Sequence, residues 1–141
     1  MKDSPHLAKD RVRELFFEEY GHMPSVIARS PGRVNLIGEH TDYNEGFVLP
    51  IALPFDTAIA ASPENSSTIR VLSEGFGEAI FDLNKDPSLL PLWARYLHGM
   101  GTYLKQTRGQ ITGWSGYISS DIPIGANLSS SAALEIAAGL I

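Results

Sequence analysis

The chain has 141 residues, a formal net charge of −5 and 43% hydrophobic residues, which suffices for one packed core and excludes an intrinsically disordered chain. It contains no cysteine and no run of lysine or arginine, which excludes disulfides, thiolate metal sites and a basic surface for nucleic acid. No apolar stretch approaches the roughly 20 residues of a membrane helix and the N-terminus lacks a signal sequence, so we expect a cytoplasmic protein with no membrane or nucleic acid partner.

Three helices are predicted from apolar side chains at helical spacing. The first begins at Ser4-Pro5, a cap followed by proline in the first turn, and ends at Gly21. The second covers residues 92–105, where internal glycines lower the helix propensity by up to about 1 kcal/mol each. The third, residues 132–141, is apolar nearly all round, which is typical of a buried helix; we expect its covering layer to lie beyond the chain.

Short apolar runs between glycine, proline, asparagine and serine predict strands. They cover residues 26–28, 34–37, 47–49, 57–61, 69–72, 79–83 and 114–119. The first two are expected as separate strands around a turn at Ser30-Pro31-Gly32. No repeat or linker divides the chain, so the pattern predicts one α+β domain over residues 1–141.

A dense polar cluster follows the predicted strand 34–37, within residues 30–50. Glu39, His40 and Asp42 stand almost side by side, and such groups can bind several hydroxyls of one small polar ligand. The cluster therefore predicts a sugar site, and Arg33 just before it suggests phosphate chemistry. Two alternatives are a surface turn with incidental charges and a metal site, although adjacent Glu and His are a poor chelating pair.

A second candidate site, Gly125 to Ser131, joins the end of a strand to the start of a helix. Glycine lets backbone approach a phosphate closely, three serines can satisfy the N–H groups of the first helical turn, and those groups with the helix dipole attract an anion. The P-loop sequence is absent. The alternative is a plain helix cap.

Both segments resemble motifs of the galactokinases, which belong to the GHMP family of small-molecule kinases. The first motif is Gly32-Arg33-Val34-Asn35-Leu36-Ile37-Gly38-Glu39-His40-Thr41-Asp42-Tyr43-Asn44. The second, the nucleotide motif, is Pro123-Ile124-Gly125-Ala126-Asn127-Leu128-Ser129-Ser130-Ser131-Ala132-Ala133-Leu134-Glu135. The resemblance implies a truncated GHMP N-terminal domain, similar to the second domain of ribosomal protein S5, from a protein that is monomeric at full length. It also implies conversion of galactose and ATP to galactose 1-phosphate, with Mg²⁺.

The resemblance also implies residue roles. The sugar ligands would be Glu39, His40, Thr41 and Asp42, and Arg33 would stabilise the transition state. The nucleotide would be bound by Ser73, Trp93, Gly125, Ala126, Asn127, Leu128, Ser129, Ser130 and Ser131, with the Ser131 hydroxyl on Mg²⁺. Asn127 replaces the usual glycine of the family, and asparagine accepts a positive φ at a cost of about 1 kcal/mol.

The resemblance places the aspartate base, the second magnesium ligand and a later glycine-rich motif beyond Ile141. Asp82, Asp86 and Asp121 match no family motif and receive no role. Two other functions remain open: a galactose- and ATP-binding sensor without kinase activity, and another sugar kinase such as an N-acetylgalactosamine kinase. Arg33 favours an enzyme over a sensor, and the chain alone is expected to be an inactive fragment.

Overall fold

The computed structural model describes residues 7–38, 44–123, 125 and 128–141. Within these ranges the helices are α1 (Ala8–Tyr20), α2 (Leu92–Arg108) and α3 (Ser130–Gly139). The strands are β1 (Val26–Ile37), β2 (Leu49–Pro63), β3 (Thr68–Ser73), β4 (Gly77–Asp82) and β5 (Trp114–Ser120), and a 3₁₀ turn covers Pro87–Leu89. None of the described helices is long and apolar enough to cross a bilayer.

The strands form one mixed sheet in the order β1-β2-β5-β3-β4. β3 and β5 run parallel, and the other neighbouring pairs are antiparallel. The α+β prediction is therefore confirmed, and α2, α3 and most strands lie close to the predicted positions. The predicted start of the first helix at Ser4-Pro5 is wrong, because α1 begins at Ala8 with Leu7 as its cap.

The sheet separates two hydrophobic layers, because neighbouring residues of a strand point to opposite faces. In β2, Ala58 and Ala60 pack with Val12 and Phe16 of α1, whereas Ile59 belongs to the core under α2 and α3. The middle of the sheet is thus covered on both faces, which holds the ends of its strands in fixed positions.

The prediction of two short strands around Ser30-Pro31-Gly32 is wrong. β1 runs through this segment without a break, and the pairing with β2 shifts register between Pro31 and Arg33. Pro31 is tolerated because β1 is an edge strand, where a missing N–H breaks no second ladder. The long β2 contains the predicted strand 57–61, but of the predicted strand 47–49 it includes only Leu49.

The β1–β2 pair extends beyond the rest of the sheet. Thr57 pairs with Ser30 on one side and with Ser120, the last residue of β5, on the other. Residues 33–37 and 49–52 therefore pair with each other past the end of β5. This two-stranded ribbon leads into the candidate sugar segment.

α3 is covered on one side. It buries Ala133 and Ala137 and packs against β1, β2 and α2. Ile136 and Leu140 are 54% and 61% exposed. The apolar helix predicted from the sequence is therefore present, with its other side open in this structure.

Candidate functional site

Parallel pairing of β3 and β5 brings two predicted nucleotide-binding elements to the same end of the sheet. Ser73 is the last residue of β3 and pairs with Ile118 of β5, and β5 leads from Ser120 into the candidate phosphate loop. Because β3 and β5 run in the same direction, their carboxyl ends lie together. Ser73 is half-buried there.

The phosphate loop ends in an uncapped helix. Ser129, the cap residue of α3, has a φ of 57° and makes no side-chain capping hydrogen bond. The expectation that serine hydroxyls satisfy the first turn is therefore wrong at Ser129, whose left-handed backbone is not the extended conformation of a capping residue. The N–H groups of this turn therefore receive no cap from the Ser129 side chain, and the partial positive charge at this end of the helix attracts an anion.

The other loop residues fit a phosphate ligand as far as they are described. Gly125 has a φ of 76°, which glycine adopts without strain, and Ser130 and Ser131 are exposed. Leu128 is half-buried. Ile124, Ala126 and Asn127 lie outside the described residues, so the effect of Asn127 stays a prediction.

Arg33 joins the first motif to this loop. Its backbone N–H donates a hydrogen bond to the carbonyl oxygen of Leu128 over 3.0 Å, at the register shift of β1. Its side chain is exposed, and the guanidinium has no hydrogen-bond or ion-pair partner among the described residues. The strand before the sugar segment and the phosphate loop therefore touch at this backbone bond, and the exposed Arg33 side chain lies at the junction.

Gly32 makes this contact possible. A Cβ at position 32 would lie 3.1 Å from the Leu128 carbonyl oxygen and 3.3 Å from Cδ1 of Ile122, which is tighter than ordinary packing. Sequence analysis missed this role. The signal that pointed to it is a Pro-Gly pair inside a strand pattern, which often marks a bulge or a close backbone approach.

The start of the loop is bonded to β2. The Asp121 N–H donates to the Asp56 carbonyl oxygen over 3.1 Å, and the Asp56 N–H donates back to the Asp121 carboxylate. The Asp56 carboxylate pairs with Arg29 of β1, whose Nε lies 2.8 Å away. Both ends of the loop are thus held by the β1–β2 pair.

Trp93 lies in the first turn of α2, beside α3. It is half-buried and packs against the core cluster that includes Ala137 of α3. Its indole N–H is buried without a hydrogen-bond partner among the described residues, a state that costs about 1–3 kcal/mol. Trp93 thus belongs to a helix that packs against α3, and its contact with a nucleotide stays a prediction.

The predicted sugar ligands Glu39, His40, Thr41 and Asp42 lie outside the described residues, so their contacts stay predictions. They follow β1 in the chain. The described residues contain no group of three acidic, histidine or cysteine side chains that could hold a metal. Ser131 is exposed and can supply one hydroxyl ligand to a cation that is otherwise bound by phosphate oxygens and water, as is usual for Mg²⁺.

Comparisons with known proteins agree with this geometry. Residues 14–63 match the galactokinase galactose-binding signature. The structure of Lactococcus lactis galactokinase, solved with galactose, is 37% identical with a TM-score of 0.77, covering 90% of this chain and 34% of that one. Methanococcus jannaschii mevalonate kinase is 23% identical with a TM-score of 0.65, covering 80% of this chain and 38% of that one.

Streptococcus pneumoniae phosphomevalonate kinase, at 19% identity and a TM-score of 0.59, covers 82% of this chain and 35% of that one. The chain thus spans between a third and two-fifths of the length of these structures, and the two more distant ones show the shared fold alone. The signature and the Lactococcus match both point to galactokinases. The chain therefore carries a galactokinase signature, is similar in sequence and structure to a galactokinase, and has the fold of the N-terminal domains of GHMP kinases.

Proposed function

We propose that the chain is the N-terminal domain of a kinase that transfers phosphate from ATP to galactose and forms galactose 1-phosphate. The observation that carries the proposal is the hydrogen bond between Arg33 and Leu128, because it joins the strand before the sugar motif to the phosphate loop. The galactose-binding signature over residues 14–63 supports galactose as the acceptor.

The sugar would be held by Glu39, His40 and Asp42, with Thr41 contributing backbone. Each carboxylate can accept two hydroxyl hydrogen bonds, and a charge-assisted bond of this kind contributes about 1.5–3 kcal/mol. A site of this kind rejects an epimer, because a misplaced hydroxyl leaves a buried polar group unpaired. Galactose should therefore be preferred over glucose.

The ATP phosphates would lie on the loop and on the open N-terminus of α3. The first-turn N–H groups carry partial positive charge and have no side-chain cap at Ser129, so a phosphate can accept from them. Ser131 would contribute a hydroxyl to Mg²⁺, which neutralises phosphate charge when bound. Ser73 and Trp93 would border the nucleotide, with Trp93 beside the adenine.

Arg33 would act on the transferring phosphoryl group. Negative charge spreads over that group and the attacking sugar oxygen, and a fixed guanidinium near both stabilises it. The hydrogen bond from its backbone to Leu128 fixes the position of the Arg33 main chain, and the exposed side chain would extend from there to the ligand. A carboxylate from the part of the relatives that this chain does not span would accept the hydroxyl proton.

The proposal is tested by incubating ATP and Mg²⁺ with galactose, glucose or N-acetylgalactosamine and measuring sugar phosphate. The proteins are the 141-residue chain and the longest natural polypeptide that contains it. We expect galactose turnover by the longer protein and little by the chain alone. A preference for N-acetylgalactosamine would mean that this sugar, and not galactose, is the phosphate acceptor. Binding of galactose and ATP without product would refute the kinase activity and favour a sensor.

A further inference from the structure

Asp121 begins the phosphate loop and matches no family motif, yet it is bonded to β2 in both directions. Its N–H donates to the Asp56 carbonyl oxygen over 3.1 Å, and its carboxylate accepts the Asp56 N–H. A side chain that accepts a neighbouring strand's N–H continues the ladder one step beyond β5. The start of the loop is therefore bonded to β2 through both the backbone and the side chain of Asp121.

The partner of Asp121 is itself held firmly. The Asp56 side chain is 13% exposed and forms an ion pair with Arg29 of β1. On the adjacent residues, the hydroxyls of Thr57 and Ser120 are hydrogen-bonded over 3.0 Å. Asp121 is thus attached to a rigid part of the sheet.

The far end of the loop is attached to the same pair of strands, since Leu128 accepts the Arg33 N–H over 3.0 Å. A loop held at both ends loses less conformational entropy when it binds a ligand. Fixing both ends of the loop before the ligand arrives is how a pre-organised site gains affinity.

We propose that Asp121 is a positioning residue for the nucleotide phosphates. Its carboxylate fixes the start of the loop, and with the Leu128 contact it presents the loop and the first turn of α3 to ATP. This inference rests on the proposed function. It assigns Asp121 a specific effect on ATP, with no direct contact to either substrate.

The test compares Asp121→Ala, Asp121→Asn and Asp82→Ala in the intact protein. Asparagine keeps an acceptor oxygen for the Asp56 N–H. Asp82 is the matched control, because its carboxylate accepts the Asn84 N–H over 2.8 Å and the residue pairs with Thr68 at the opposite end of the sheet. All three variants are compared by thermal unfolding, by KM for each substrate and by amide hydrogen exchange.

We expect the KM for ATP to rise about tenfold in Asp121→Ala, the order of effect of losing one partly buried hydrogen bond, while the KM for galactose stays within about twofold. Asp121→Asn should stay near the parent, and Asp82→Ala should lose stability without a change in KM for ATP. Equal changes in the KM for ATP and galactose, or the same rise in Asp82→Ala, would overturn the proposal. If Asp121→Ala does not fold, Asp121→Glu displaces the acceptor by one methylene and should raise the KM for ATP in the same way.

Hydrogen exchange separates this proposal from the function on which it rests. The Arg33 amide should exchange faster in Asp121→Ala and not in Asp82→Ala, because the released loop no longer holds the Leu128 acceptor. If the parent protein fails to bind ATP, the proposed function is refuted. Faster exchange at Arg33 would then still support the positioning of the loop by Asp121, and unchanged exchange would overturn it.

Discussion

The backbone N–H of Arg33 donates to the carbonyl oxygen of Leu128 over 3.0 Å. β1, which carries the start of the first motif, and the loop of the second motif therefore meet at one hydrogen bond. The contact uses backbone atoms alone. The bond does not use the Arg33 guanidinium, so we expect it to survive substitution of the side chain.

Replacing Arg33 by alanine should lower kcat by about 10²–10³, the usual effect of losing one transition-state donor. The free energy of unfolding should change little, because the side chain is exposed and makes no ion pair within the described residues. Lysine should recover part of the rate, since it keeps the charge without the planar guanidinium. Steady-state kinetics and thermal unfolding measure both, and a large loss of stability with unchanged kcat would contradict the role.

Replacing Gly32 by alanine should destabilise the protein by about 1–3 kcal/mol and raise the KM for ATP. The added Cβ would lie 3.1 Å from the Leu128 carbonyl oxygen and 3.3 Å from Ile122 Cδ1. Adding Ile122→Val removes that methyl group and should restore part of the stability in urea unfolding. The KM for ATP should stay high, because Leu128 is still displaced; full recovery of both would show that the contact with Leu128 is unimportant.

The two glycines inside α2 should respond to alanine in different ways. A Cβ at Gly99 meets nothing within 4 Å, whereas one at Gly101 would lie 2.8 Å from Cδ2 of Leu83. Gly99→Ala should therefore raise the free energy of unfolding by about 0.5–1 kcal/mol, and Gly101→Ala should show no such gain. Urea unfolding of the two variants tests the packing of α2, and equal gains would contradict it.

Tyr20 should make stability fall in alkaline solution. Burial raises the pKa of its hydroxyl from 10.0 to about 12, and the O–H donates to the Gly116 carbonyl oxygen over 3.1 Å. Because the folded protein holds this proton more tightly, the stabilisation is complete below pH 10 and is lost as the pH rises toward 12.

Tyr20→Phe should reduce the slope of stability against pH in that window. Burial also raises the pKa of Tyr117, so the variant should remove part of the slope and leave the rest. Unfolding measured from pH 8 to pH 11 checks this, and an unchanged slope would argue against burial of Tyr20.

Replacing Glu39 by glutamine should raise the KM for galactose roughly ten- to hundredfold, as expected for losing a charge-assisted hydrogen bond. The KM for ATP should change little. Glu64→Gln is the matched control, because Glu64 is exposed just after the opposite end of β2. Equal effects of the two variants would show that Glu39 does not bind the sugar.

The helices and most strands could be predicted because their signals are local. Apolar side chains at helical spacing defined α2, and Gly21 marked the end of α1, with a φ of 73°. The predicted break at Ser30-Pro31-Gly32 was wrong because the continuity of a strand depends on its partner. β2 pairs with β1 on both sides of the Pro-Gly segment, and local propensity does not reveal this pairing.

The two motifs predict the residues of the candidate site, but they do not predict the contacts between the segments that carry those residues. Arg33 meets Leu128, and Asp56 meets Asp121, between segments that are far apart in the chain. No periodicity links such residues. The left-handed backbone of Ser129 is equally hidden, because serine at a helix start normally predicts a side-chain cap.

The most direct test is a crystal structure of the intact protein with galactose and a non-hydrolysable ATP analogue. The account predicts the terminal phosphate between the Arg33 guanidinium and the N-terminus of α3, with the anomeric hydroxyl of galactose facing it and Glu39 and Asp42 on the sugar. A nucleotide bound away from residues 125–131, or a sugar far from Arg33, would contradict the claim that these two segments form one kinase site.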